Sequence, residues 1–441
     1  LNLLYYIIEV IIDKNMLSDE KWYRQYKKIG EVNFLGNIKP QIEHTKTNYI
    51  EMVLKYQPVD IRKWQKKINR LKTLKKIIKK EEENKIIREL YSLKIDETIA
   101  QCKLIILCRV TKNKVNSKKI EEFNNWQKIL YPKPNENKFW WTLKQIRKLY
   151  TALCKDNNQK PDRNFLDQLP QKNFKIYNDE KISDKKILNA KKYVLSDLPT
   201  KKINSGKLLN AKEIQKYFRE YLTILRLTDW QVKIDSTSLS ISVDQEKKVI
   251  RVPENRKRSE QKIYKLLFHE IGIHVLRKIN GEKQRLRLLS SGLNNYKIGE
   301  EGLAVFGENY FFNENSYDYH SLMAYISIGL CLGFDGQKRN FQEVYYLLQK
   351  IYFAFNKIKN KKNPEEISKK ETMIKCIRTF RGTPGDIPGL CLWNDNIYFE
   401  GQRKIINLIN KNPQELKRVL CGKYDPTNPL HRKALDLFDI E

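Results

Sequence analysis

His269, Glu270 and His274 form an H-E-x-x-x-H pattern within the apolar segment 263–279. The pattern has one residue more between its histidines than the H-E-x-x-H of common zinc peptidases. On a regular helix the two imidazoles would point about 140° apart, too far to bind one ion. The spacing therefore predicts a π-type turn. Gly272 is expected inside it, because glycine costs about 0.5–1 kcal/mol in a regular helix relative to alanine.

A catalytic zinc site needs a third protein ligand, and the next carboxylates that could reach the histidines are Glu300 and Glu301 in the segment I-G-E-E-G-L-A-V. A helix returning antiparallel could offer either of them from its first turn. The other could accept an N–H from a ligand histidine. Because the chain has only 5 His, the clustering of two beside this carboxylate pair favours one Zn²⁺ per chain, with Glu270 as the general base.

The elements that must position these residues can be read from apolar periodicity. Helical stripes dominate from residue 49 to 110 and again after the histidines, whereas the alternation in 229–253 indicates short strands. The predicted fold is α+β and predominantly helical, with a small antiparallel sheet before the bulged zinc-binding helix. We expect an N-terminal helical region at 1–205, with a poorly patterned connection at 112–205, and a catalytic region at 206–441. One continuous domain is the alternative.

The chain is strongly basic, with 85 Lys+Arg against 52 Asp+Glu and a net charge of +33. Codon bias toward lysine on solvated faces explains this charge as well as attraction to a polyanion does. The seven cysteines are scattered without a C-x-x-C pair, which indicates neither a disulfide framework nor a thiolate zinc site. The opening LNLLYYIIEVII is too short and too polar for a membrane span, and we expect it to pack on the body as a strand or helix.

Four motifs give the sequence a resemblance to a known family. They are HEIGIH at 269–274, EEGLAV at 300–305, TFRG at 379–382 and NDNIYFEG at 394–401. In this order they resemble the microtubule-associated tyrosine carboxypeptidases and their bacterial relatives with a QEGLA motif. The resemblance assigns the metal to the second carboxylate, Glu301, which leaves Glu300 as the partner of a histidine. The chain departs from the family pattern at Ile273 and Asn394, and by the insertion TPGDIPGLCLW after the TFRG motif.

The resemblance implies a metallo-carboxypeptidase that removes a C-terminal residue, Tyr or Phe, by attack of zinc-activated water assisted by Glu270. Such an enzyme needs a cation for the free carboxylate of the substrate. Arg381 is the candidate, with Arg378 as the alternative, since a guanidinium can bind a carboxylate through two hydrogen bonds. Tyr398 could donate to the developing oxyanion. We expect two further aromatic residues, Tyr296 and Phe380, to line a pocket.

Two other functions remain open on the sequence. An aminopeptidase or endopeptidase could use the same zinc site, and a basic binding or regulatory protein without activity could carry it as a structural site. The intact Glu270 argues against the second alternative. The expected partner is a peptide or protein C-terminus, including an acidic tail such as that of tubulin if the host is a eukaryote. Nucleic acid is disfavoured. The expected location is cytoplasmic, at microtubules in the eukaryotic case.

Overall fold

Helices form where the sequence supplies an apolar stripe together with a capping residue. In the helix Ile61–Glu81 the buried residues Ile68, Leu71, Leu74 and Ile78 recur at steps of three and four. The helix Ala211–Ile224 begins with a capping box, in which Asn210 and Glu213 bond each other's backbone N–H groups. These local signals explain why the periodic segments of the sequence are helical.

The computed structural model describes residues 2–38, 54, 56–108, 116–171, 181–195, 207–236, 238, 241–312 and 319–441, with side chains from residue 13 onward. The helices before the first strand are α1 (Asn2–Ile29), α2 (Phe34–Asn37), α3 (Ile61–Glu81), α4 (Lys85–Leu107), α5 (Ser117–Leu130), α6 (Glu136–Asp156), α7 (Arg163–Gln168) and α8 (Asp184–Leu195). The opening apolar segment is thus the first part of a helix. No helix within these ranges is long and apolar enough to cross a membrane.

The strands lie between α8 and the metal-binding segment, on either side of helix α9 (Ala211–Ile224). They are β1 (Leu208–Leu209), β2 (Gln231–Asp235), β3 (Ser242–Asp244), β4 (Val249–Pro253) and β5 (Arg258–Ser259). β1 pairs antiparallel with β5, and β3 pairs antiparallel with β4. β2 runs parallel to the other edge of β4, so the three-stranded sheet is mixed, in the order β2-β4-β3.

After β5, all the regular secondary structure of the described chain is helical. After β5 come α10 (Glu260–Leu267), a π-helix (Phe268–Val275), α11 (Leu276–Lys283), α12 (Leu288–Ser291), α13 (Lys297–Tyr310), α14 (Tyr319–Leu332), α15 (Phe341–Ile358), α16 (Pro364–Phe380), α17 (Asn396–Lys411), a 3₁₀ helix (Pro413–Arg418) and α18 (Pro429–Leu437). The prediction of a mainly helical α+β fold with a small sheet before the bulged helix is therefore confirmed.

Four hydrophobic clusters form the core, and each contains residues from both sides of the predicted boundary between 205 and 206. The first joins the sheet, the π-helix, α13 and α17 to Ile187 and Val194 of α8. The third joins helices α1, α3 and α4 to the C-terminal segment, where it includes Tyr424. The boundary itself lies outside the described residues. The described residues on the two sides of this boundary therefore share their hydrophobic clusters.

Candidate metal centre

The two histidines lie on the π-helix Phe268–Val275, which interrupts an otherwise α-helical segment between α10 and α11. A π-turn takes up one additional residue per turn, so positions five apart come to the same face. The ring centroids of His269 and His274 are 4.9 Å apart. The predicted widened turn is confirmed, and Gly272 lies within it.

Glu301 joins the two histidines from the first turns of α13. Its Oε2 lies 3.5 Å from Nε2 of His269, and its Oε1 lies 3.8 Å from Nε2 of His274. One potential ligand atom from each of the three residues lies within 4.8 Å of the others. Their side chains expose 14%, 10% and 15% of their surface, so the cluster is shielded but open to a small ligand.

Two further carboxylates contact the opposite nitrogens of the imidazoles. Nδ1 of His274 lies 2.8 Å from Oε1 of Glu300, and Nδ1 of His269 lies 2.6 Å from Oε1 of Glu308. A carboxylate accepts the proton of Nδ1, which leaves Nε2 with its lone pair directed toward Glu301. Glu300 and Glu308 are therefore placed to hold the two imidazole rings in the orientation that metal binding requires.

Two members of this arrangement were missed by sequence reasoning. Glu308 follows Glu301 by seven residues on α13, which is about two helical turns and places both on one face. That spacing was a usable signal. Arg277 is fully buried and donates from Nη1 to Oε2 of Glu300 at 3.2 Å. Its position three residues after His274 gives no sign of this contact, because the partner comes from another helix.

Glycines at the crossing of α13 and α17 bring Tyr398 to the cluster. A methyl group added to Gly302 would come within 2.3 Å of the carbonyl carbon of Gly401, and one added to Gly401 within 2.2 Å of the carbonyl oxygen of Ile298. The backbones can approach this closely only without side chains. The charge of Glu301 is the largest influence on the Tyr398 phenol and raises its pKa.

Glu270 lies beside the cluster with its carboxylate unengaged. It is 8% exposed and forms no hydrogen bond or ion pair within the described ranges. Burial raises the pKa of this carboxyl group, and the neighbouring His269 and His274 only partly oppose that shift. A carboxylate with a raised pKa is a stronger base than one in water, as proton transfer requires.

Two arginines at the end of α16, Arg378 and Arg381, are the candidates for binding the substrate carboxylate. Arg378 binds Asp395 through two hydrogen bonds, from Nε at 2.7 Å and from Nη2 at 2.9 Å, and its Nη2 is 3.4 Å from the Tyr398 hydroxyl. Arg381 forms no hydrogen bond or ion pair with any described residue, and its Nε is buried without a partner. Burial lowers the pKa of Arg381, although Asp395 counteracts this. Among the described residues, Arg381 thus differs from Arg378 in having no carboxylate partner.

The two aromatic residues expected to line a pocket, Tyr296 and Phe380, are both buried. Phe380 is fully buried in the second hydrophobic cluster, where its ring is 5.4 Å from that of Phe341. Tyr296 is 8% exposed and lies between the ammonium groups of Lys94 and Lys423, at 5.8 and 5.6 Å from its ring centroid. Both rings are buried, and their place in a substrate pocket stays a prediction.

The cluster fits a metal ion on its own chemistry. Among the described residues Oε2 of Glu301 is buried without a hydrogen bond, with Nε2 of His269 3.5 Å away, which is costly unless a cation satisfies it. Two imidazole nitrogens and one carboxylate oxygen are ligands that zinc accepts. Burial would raise the pKa of Glu301, but the neighbouring histidines hold it at about 2. The carboxylate is therefore ionised and ready to bind a cation.

The helical α+β fold and this cluster define a protein with a candidate metal centre on a bulged helix. The family model described as microtubule-associated tyrosine carboxypeptidase matches residues 181–429, which is more than half of the chain. The protein belongs to this family, as the four motifs predicted. Membership implies a peptidase of the carboxypeptidase type. No curated protein and no solved structure is significantly similar to the chain.

Proposed function

We propose that this protein is a zinc-dependent carboxypeptidase that removes a C-terminal Tyr or Phe from a peptide or protein. The observation that carries the proposal is the convergence of both Nε2 atoms on Glu301, whose buried Oε2 has no hydrogen-bond partner in the described part of the chain. His269, His274 and Glu301 would hold one Zn²⁺ per chain. When bound, zinc would polarise the scissile carbonyl and acidify a water molecule.

Glu270 acts as the general base. Its carboxylate, unengaged among the described residues, can accept a proton from water and later deliver it to the leaving amine. Its burial supports this role because the raised pKa brings the group closer to neutral pH. Glu300 and Glu308 hold the two imidazoles in one orientation through their Nδ1 atoms.

Tyr398 and the arginines position the substrate. The Tyr398 hydroxyl, next to Glu301, is suited to donate to the oxyanion that develops on the scissile carbonyl. Arg381 binds the free C-terminal carboxylate, which its lack of a partner among the described residues supports. Arg378 remains the alternative. Its bidentate bond to Asp395 argues for a supporting role, because that bond would have to be exchanged for the substrate.

The substrate preference and the cellular setting rest on the family description and on charge. The description names tyrosine as the residue removed and microtubules as the association. A chain with a net charge of +33 is suited to attract an acidic protein tail such as that of tubulin. We extend these two properties to this protein as proposals, together with a cytoplasmic location and the grouping of 1–205 and 206–441 into one catalytic unit.

A small peptide library tests the proposal directly. Peptides with free and with amidated C-termini are incubated with the protein, with and without a chelator, and mass spectrometry identifies which residue leaves from which end. We expect loss of a C-terminal aromatic residue from free termini only, and no loss after chelation. Release from the amino terminus or internal cleavage would identify an aminopeptidase or endopeptidase. An inert protein with bound zinc would identify a regulatory role.

A further inference from the structure

Arg277, on α11 directly after the π-helix, is the centre of a buried hydrogen-bond network. Its side chain is fully buried, and it lies three residues after His274. Its guanidinium donates from Nη1 to Oε2 of Glu300 at 3.2 Å, from Nε to the carbonyl of Gly422 at 2.9 Å and from Nη2 to the carbonyl of Tyr424. A buried arginine with this many partners is fixed in one orientation.

Glu300 connects Arg277 to the metal cluster. It uses both of its carboxylate oxygens, with Oε1 at 2.8 Å from Nδ1 of His274 and Oε2 bonded to Arg277. Only 3% of its side chain is exposed, so water cannot replace either partner. The position of the His274 ring therefore depends on the orientation of Glu300, and that orientation depends on Arg277.

The carbonyl groups that bind Arg277 are themselves held by the fold. The backbone of Lys423, between them, exchanges hydrogen bonds with Leu289 and Leu293, each at 2.9 Å. The ring of Tyr424 is fully buried in the third hydrophobic cluster, with its centroid 5.5 Å from the Arg277 guanidinium carbon. The same cluster contains residues of α1, α3 and α4. Residues of the N-terminal helices therefore pack in the same cluster as Tyr424, whose carbonyl binds Arg277.

We propose that Arg277 is a positioning residue of the metal centre, which acts through Glu300 to hold His274 with Nδ1 protonated and Nε2 directed at the metal. The proposal rests on the proposed zinc site. Fewer groups hold the ring of His269 in place. Its partner Glu308 exposes 24% of its side chain and pairs with no lysine or arginine in the described part of the chain. The two histidines are therefore held by networks of unequal rigidity.

The first test measures zinc affinity by competition with a chromophoric chelator. Arg277→Met should weaken zinc binding by about 10- to 100-fold, the usual effect of removing an outer partner of a ligand, and Arg277→Lys should lie between it and the wild type. Lys278→Met removes the neighbouring charge, which bonds Glu282 and the Ser290 carbonyl instead, and should bind zinc like the wild type. Equal affinities in the Arg277 variants would overturn the proposal.

A double-mutant cycle separates positioning from general destabilisation. If Arg277 acts through Glu300, then Arg277→Lys should weaken zinc binding much less in a Glu300→Gln background than in the wild type. In a Glu308→Gln background the effect of Arg277→Lys should be undiminished, because Glu308 supports the other histidine. Independent effects of Arg277 and Glu300 would overturn the proposal. This cycle uses the lysine variant, so it stands even where the methionine variant does not fold.

Cobalt substitution gives a readout that stability alone does not change. The visible spectrum of bound Co²⁺ reports ligand geometry, and we expect it to shift in Arg277→Lys and Glu300→Gln but not in Lys278→Met. An unchanged spectrum in both site variants would contradict the positioning role. A wild-type protein that binds neither zinc nor cobalt would instead refute the proposed zinc site. The two failures are therefore distinguishable.

Discussion

Gly302 and Gly401 face each other where α13 and α17 cross, and a methyl group on Gly302 would lie only 2.3 Å from the Gly401 carbonyl carbon. Gly302 follows Glu301 directly, and Gly401 lies three residues after Tyr398. This contact therefore lies close in sequence to both a proposed metal ligand and the proposed oxyanion donor. It gives a physical reason for the glycine in each of the two motifs.

Substitution at this crossing should damage both stability and activity. Gly302→Ala must push the two helices apart, and we expect it to lower the free energy of unfolding by about 1–3 kcal/mol, as overpacking usually does. Turnover should fall further, because Tyr398 moves away from Glu301. Denaturant unfolding and peptide cleavage measure the two effects. Lys404→Ala, at an exposed position of α17, should change stability by less than about 0.5 kcal/mol.

Substitutions should distinguish the metal ligands from the general base. Replacing His269, His274 or Glu301 by alanine should abolish stoichiometric zinc, whereas Glu270→Gln should retain zinc and lose turnover. The reason is that Glu270 supplies a proton acceptor and no metal ligand. Elemental analysis and a cleavage assay measure the outcome. Full zinc content in a His274→Ala/Glu301→Ala double variant would contradict the ligand set.

Arg381 should determine the requirement for a free C-terminus. Loss of one partner from a desolvated charge pair costs about 2–5 kcal/mol, so Arg381→Ala should lower kcat/KM by roughly 30-fold to several thousand-fold without loss of zinc. An amidated peptide lacks the carboxylate and serves as the matched control. Its residual cleavage should be the same in the wild type and the variant. A similar loss on both peptides would point to a structural role for Arg381.

His431 should make the fold sensitive to acid. It is fully buried, its Nδ1 accepts the backbone N–H of Asp425 at 3.0 Å, and burial lowers its pKa to about 3. Because the folded state binds the proton less tightly than the unfolded state, with its pKa near 6.5, stability is full above that value and declines as pH falls toward 3. At pH 5 the loss due to His431 is about 2 kcal/mol.

A variant that lacks only the histidine at position 431 checks the size of that effect. His431→Gln retains a side-chain acceptor but cannot become charged in this range. The difference in unfolding free energy between pH 7.5 and pH 5 should therefore be about 2 kcal/mol smaller in the variant than in the wild type. Urea unfolding at the two pH values measures it. Identical pH dependence would show that His431 is not kept neutral by the fold.

The basic surface should matter only for long acidic substrates. If the net charge of +33 attracts an acidic tail, added salt should depress cleavage of a long acidic peptide far more than cleavage of a short neutral one. The comparison is made between low and physiological ionic strength, where screening becomes strong at distances beyond about 8–10 Å. Equal salt sensitivity would identify the excess lysine as a property of composition alone.

The sequence by itself was sufficient for the local geometry of the histidines and for the family. A separation of five residues cannot place two imidazoles on one face of a regular helix, so the π-helix at Phe268–Val275 follows from helix geometry. The order of the four motifs predicted the family that matches residues 181–429. The mainly helical fold followed from periodicity, which is a property of neighbouring residues.

Only the tertiary structure decided which groups surround those histidines. Arg277 meets Glu300 across 23 residues of sequence, and Glu308 meets His269 across 39. Such contacts depend on how helices pack, and packing is not encoded in local periodicity. For the same reason the burial of Phe380 and Tyr296 could not be predicted from their positions in the sequence. The pairing of β2 with β4 likewise depends on where the chain returns, so the sheet is mixed.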